Sequence, residues 1–141
     1  MSKKTEPPDI SVVLPILIMH RWQLLMSLFV IDMMRECTEL EYELVIVETG
    51  ARHSELKQKA NVYLHREDTR CPTSDINAGI EVASGEFIVY TGNDIMMKPG
   101  WLEALYACFE LPDCGAATLA MGEPGAQVGT PKPMAHICEG M

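Results

Sequence analysis

The chain has 141 residues, 48% of them hydrophobic and 22% charged, which is enough for one domain with a substantial buried core. Its formal charge of −9 and pI near 4.8 exclude a general nucleic-acid or anionic-membrane surface, since either needs clustered lysine and arginine to meet phosphate. An acidic protein can still hold a diphosphate through a divalent cation.

Residues 1–9 include Lys3 and Lys4, but no suitable apolar h-region or cleavage site follows, so they read as a disordered lead-in and not a signal peptide. Ile10-Ser11-Val12-Val13-Leu14 is a β-branched run that Pro15 is expected to stop, because proline cannot donate to a central ladder. Residues 22–34 predict a largely apolar helix. Ser27 and Asp32 interrupt it, and Arg21 and Arg35 flank it, so it is too short to span a bilayer and reads as a core helix. Residues 42–47 predict a second buried strand that turns at Glu48-Thr49-Gly50, and Ser54 is placed to cap a short polar helix over 55–61.

Residues 62–65 predict an edge strand, and 66–72 a polar loop. Thr73 or Ser74 would then cap a helix through Ile76, Ile80 and Ala83, with Gly85 as its C′ residue. Residues 86–90 predict a fourth strand. Residues 101–110 predict an amphipathic helix, and 114–120 a fifth strand. Strands alternating with helices at this spacing imply parallel βαβ units in an α/β fold with a mostly parallel central sheet. That organisation occupies 10–121; residues 122–141 form a Gly/Pro-rich loop or tail, and the architecture reads as incomplete at the C-terminus.

Five cysteines, an odd number with no C-x-x-C pair, suit a reducing compartment, and the expected location is cytoplasmic. The four histidines show no zinc-ligand spacing with them. Trp101, Met26, Met33 and Met34 read as core packing, Asn77 as a helix brace and His20 as an exposed loop residue.

Three strand ends converge on one sheet edge: Pro15, Glu48 and the turn Thr91-Gly92-Asn93-Asp94. Glu48 could accept a hydrogen bond from a base or ribose, and Asp94 could hold a divalent cation against phosphate oxygens. No G-x-G-x-x-G follows the first strand, and no G-x-x-x-x-G-K-[ST] occurs, which argues against other nucleotide-binding α/β proteins.

Over residues 10–120 the chain resembles the family 2 glycosyltransferases of the GT-A (Rossmann-like) fold. The likeness lies in Ile10-Ser11-Val12-Val13-Leu14-Pro15, Val45-Ile46-Val47-Glu48-Thr49-Gly50, Asn77-Ala78-Gly79-Ile80, Ala83-Ser84-Gly85-Glu86-Phe87-Ile88, and Asn93-Asp94 with Pro99-Gly100-Trp101-Leu102. The resemblance implies a nucleotide-sugar donor, UDP-linked, bound through Pro15, Glu48, Asp75, Asn93 and Asp94. It also implies Mn²⁺ or Mg²⁺ at Asp94 and inverting transfer to a glycan, protein or small-molecule acceptor. Asp94 matches the last acid of the family's Asp-x-Asp motif, whereas Gly92 stands at the first. The family's catalytic base lies beyond this chain, whose only acids after residue 113 are Glu123 and Glu139. A degenerate donor-binding module without turnover is therefore the rival expectation.

Overall fold

The computed structural model describes residues 9–67, 71–119 and the backbone of 134–135. The lead-in 1–8 and the tail 122–141, apart from that backbone pair, lie outside the described residues. Two compact units emerge, Met1–Arg35 with Glu41–Met96, and Glu36–Leu40 with Met97–Met141.

The first unit is built on a parallel sheet of β1 (Ile10–Leu17), β2 (Glu43–Thr49), β3 (Val62–Arg66) and β4 (Phe87–Tyr90), in the order β3-β2-β1-β4. Its centre is dry: Val12, Val13 and Leu14 of β1 and Leu44 to Val47 of β2 are fully buried. Both strands read as unbroken apolar runs because helices cover a parallel sheet on both faces. Right-handed crossovers put α1 (Arg21–Glu36) and α2 (Ser54–Lys59) on one face, and α3 (Pro72–Val82) on the other.

Pro15 does not end β1, which continues to Leu17 with Pro15 opposite Val47. The Val13 carbonyl accepts from Thr91 N–H on the β4 side, so alternation turns the nitrogen of Pro15 to that same side. Pairing with β4 stops at Val13, so no ladder bond is lost there.

Three other expected boundaries move. Ser54 is the first residue of α2 and not its cap; His53 precedes it in extended conformation. Cys71 is the N-cap of α3, with Pro72 at the first position, where a missing N–H costs nothing. Gly85 is not a helix C′ residue, since α3 ends at Val82 with Ala83 extended. Gly85 instead lies against the β1 backbone, where a Cβ would fall 2.6 Å from Ser11 N and 2.8 Å from Ile10 C.

The α1 core reading holds for one side only. Leu24, Val30, Ile31 and Met34 are buried, Met33 is half-buried, and Met26 is exposed. No described helix is long and apolar enough to cross a membrane.

Opposite the carboxyl ends of the strands, Glu43 ties three segments together. Ser11 Oγ donates to its carboxylate at 2.6 Å, and Ser84 donates through both N–H and Oγ at 2.9 Å. Gly85 N–H in turn donates to Ser11 Oγ at 2.9 Å. Burial pushes the Glu43 carboxyl up, but these donors outweigh it and hold it below its ordinary 4.5. The folded state thus binds this proton more weakly than the unfolded chain. The stabilisation is complete above pH 4.5 and is lost as pH falls through the folded value. Thermal melts on acidification should show wild type losing stability faster than Glu43→Gln, with the curves converging in acid; parallel curves would refute the assignment.

In the second unit, α4 (Trp101–Ala107) runs into a 3₁₀ turn at Cys108–Glu110, and β5 (Ala117–Thr118) pairs antiparallel with β6 (Met134–Ala135). The expected helix over 101–110 is present with a tightened end, while the fifth strand is shorter than expected. Glu103 accepts from Thr38 Oγ1 at 2.8 Å and Glu39 N–H at 2.6 Å.

Candidate functional site

The strand order locates the site. The chain steps outward from β1 to β2 to β3, then returns to the other side of β1 for β4. Such a reversal opens a crevice at the carboxyl ends of β1 and β4. The segment 91–94 leaves β4 at this crevice.

Within that turn the three polar side chains have separate fates. Thr91 is buried, and its N–H donates to Val13 O at 3.2 Å, extending the β1–β4 ladder by one bond. Asn93 Nδ2 donates to Ser27 Oγ at 2.7 Å, and Ser27 Oγ donates to Gln23 O at 2.7 Å, so the turn is fastened to α1. Ser27, which interrupts the apolar pattern of α1 and is fully buried, is the anchor. Asp94 is exposed, and among the described residues its carboxylate makes no hydrogen bond or ion pair. Its Oδ1 folds back toward Gly92, where a Cβ would meet it at 2.8 Å.

Glu48 is the opposite case, a carboxylate with no exposed surface. His53 Nδ1 lies 2.5 Å from Oε1, while Tyr63 OH at 2.5 Å and His53 N–H at 3.1 Å donate to Oε2. Desolvation first, then the hydrogen bond to Glu48 and its charge, push the Tyr63 phenol up to about 12, so it stays a donor. The structure thus places Glu48 inside the protein with both oxygens engaged. In this arrangement Glu48 is in contact with His53 and Tyr63.

Asp75 is likewise buried. Its Oδ2 accepts from Thr49 Oγ1 at 2.9 Å, and Arg66 Nη1 stands 3.4 Å from Oδ1 while donating to Ser74 O at 2.7 Å. Arg66, expected in a loop, is the last residue of β3. An open cleft of about 420 Å³ is lined by Arg66, Ser74, Asn77 and Glu81 among others, at the start of α3, and Asp94 does not line it. Pro15 is half-buried in the last turn of the ladder before β1 ends.

The residues that sequence reasoning missed are the partners: Ser27, Thr49, His53, Tyr63 and Arg66. The Tyr63 contact follows from the strand register, which the sequence alone does not show. Tyr63 lies opposite Ile46 in the β2–β3 register, and alternation puts 46 and 48 on one face, so Tyr63 and Glu48 share it.

Mn²⁺ or Mg²⁺ takes oxygen ligands, and Mg²⁺ is commonly held by one or two carboxylates, substrate phosphates and water. A lone exposed carboxylate with open oxygens suits that kind of shared site. No group of three His, Cys, Asp or Glu side chains among the described residues could hold an ion unaided.

A parallel sheet in this order, with an acidic turn at the reversal, is a Rossmann-like α/β arrangement. Solved structures superpose on it. The mannosyltransferase PcManGT from Pyrobaculum calidifontis, in complex with GDP-Man and Mn²⁺, matches with a TM-score of 0.64 and 18% identity over 79% of this chain and 35% of its own. TarS 1-349 from S. aureus matches with a TM-score of 0.54 and 18% identity, over 72% of this chain and 32% of its own. A second TarS structure matches with a TM-score of 0.59 and 14% identity, over 83% of this chain and 23% of its own. The chain belongs to glycosyl transferase family 2, whose sequence profile matches residues 28–134. No curated protein matches the sequence significantly. The chain spans about a third of the length of the mannosyltransferase it resembles.

Proposed function

We propose that this chain is the donor-binding part of a nucleotide-sugar glycosyltransferase, holding the diphosphate of a UDP-linked sugar beside a divalent cation at Asp94. The observation that carries this reading is the Asp94 carboxylate, exposed and without a hydrogen-bond or ion-pair partner among the described residues, at the β1–β4 reversal of a family 2 chain. A bound cation supplies charge neutralisation for the departing diphosphate in an inverting displacement at the anomeric carbon.

The other expected donor-site residues act through Asp94's surroundings. Asn93 fixes the turn to α1 so that the next carboxylate opens outward, and Pro15 lies in the neighbouring strand, two residues before its end. Glu48 and Asp75 act as positioning residues that brace the β2 and β3 ends through His53, Tyr63, Thr49 and Arg66. The domain at 10–121 is the donor-binding part in this reading.

Thermal shift assays with UDP and GDP, each with Mn²⁺, Mg²⁺ or a chelator, test the reading. UDP with metal is expected to raise the melting temperature most, with the gain lost on chelation; GDP outperforming UDP would reassign the base. No metal-dependent shift with any nucleoside diphosphate would overturn donor binding. The rival reading, a binding module without turnover, rests on Gly92 standing where a second acid is expected. Metal-dependent binding without hydrolysis or transfer of the bound donor would favour it.

A further inference from the structure

Helix α1 presents a second apolar face, on the side away from its buried residues. Trp22, Leu25, Met26 and Phe29 follow the i, i+3, i+4, i+7 spacing of a single stripe and are 59%, 57%, 44% and 57% exposed. Leu17 and Met19, just before the helix, are 51% and 71% exposed and extend the apolar surface at its N-terminal end. At roughly 100 Å² for each half-exposed side chain of this size, the six leave on the order of 600–700 Å² of apolar surface. A typical monomer's largest apolar patch is about 300–600 Å², and a stable interface takes about 800 Å² from each partner.

We propose that this stripe is the interface of an isologous dimer of this chain, in which two α1 helices pack antiparallel across a two-fold axis. The stripe is centred between Leu25 and Met26, so the two-fold brings Leu25 opposite Met26 of the second copy and Trp22 opposite its Phe29. Each large side chain then meets one of comparable size, both aromatic pairs form, and the helix dipoles oppose. The surrounding charges favour a second copy over a bilayer. The only cations of α1 are Arg21 and Arg35, at its two ends, and Arg35 donates to Lys59 O at 2.7 Å while Lys59 Nζ lies 2.5 Å from Asp32, so the stripe is not flanked along its length by the lysines and arginines that an in-plane membrane helix carries.

The test is sedimentation of the full chain at rising concentration, up to about 100 μM, where an interface of micromolar Kd is mostly formed. The wild type is expected to dimerise. Leu25→Lys and Met26→Glu, at exposed positions, should each weaken association at least about tenfold while leaving circular dichroism and melting temperature close to wild type. Mixing the two variants should restore a heterodimer, because the ammonium introduced at position 25 of one copy then faces the carboxylate introduced at position 26 of the other. A monomeric wild type, a dimer indifferent to both substitutions, or failure of the mixture to associate would overturn the proposal. So would flotation of a monomeric chain with neutral phosphatidylcholine vesicles, which would assign the stripe to a membrane.

Discussion

Asp94→Asn is expected to remove the metal-dependent part of nucleoside-diphosphate binding while leaving the fold intact. The substitution keeps the shape of the side chain and deletes its charge, and a hard divalent cation in a shared site depends on that charge. Asp94 makes no internal hydrogen bond or ion pair among the described residues, so nothing structural is lost with it. A ligand at a hundred times its Kd stabilises by about 2.7 kcal/mol, which is several degrees of melting temperature for a domain of this size. The variant should show at least a tenfold weaker Kd for the diphosphate in Mn²⁺ by titration calorimetry, and equal weak binding with and without metal. Undiminished metal-dependent binding in Asp94→Asn would remove this carboxylate from the site.

The same comparison separates the two kinds of acid that sequence reading grouped together. Glu48 and Asp94 sit at or just beyond strand ends, Asp75 lies in the first turn of α3, and all three matched the family's donor region. Only Asp94 opens to solvent, whereas Glu48 and Asp75 are enclosed by Tyr63, His53, Thr49 and Arg66. Sequence shows where a strand ends, because apolar runs and turn residues are local. It does not show which side chains from the neighbouring strand reach across, because that depends on register, and β3 had to be aligned with β2 before Tyr63 met Glu48. The parallel sheet and its order of elements were legible for the first reason. The extension of β1 through Pro15 was not, since it depends on β4 ending its pairing at Val13.

The glycines of the Asn77-Ala78-Gly79 and Ala83-Ser84-Gly85 segments are the second place where a single change should act strongly, and there the effect is on folding. Gly85→Ala puts a Cβ within 2.6 Å of Ser11 N and 2.8 Å of both Ile10 C and Ser11 Oγ. Two of those atoms are backbone in β1, the strand paired with both β2 and β4, so relief requires shifting the centre of the sheet. The shift also pulls on Ser11 Oγ, which receives Gly85 N–H and donates to Glu43. Overpacking of this kind costs about 3 kcal/mol or more.

Gly79→Ala is the graded case. Its Cβ would fall 2.4 Å from Val13 Cγ1 and 3.1 Å from Val47 Cγ2, both fully buried side chains that can turn only by leaving a strand rotamer. Alanine's helix preference, about 1 kcal/mol, offsets part of that clash, so a net loss of about 1–2 kcal/mol is expected. Gly92→Ala is the control, because the atom in its way is the end of the exposed Asp94 side chain, which can swing aside. Urea denaturation should therefore rank the variants with Gly85→Ala least stable, Gly79→Ala between, and Gly92→Ala near wild type. A Gly85→Ala protein as stable as Gly92→Ala would show that the close approach of this connection to β1 does not hold the sheet in place.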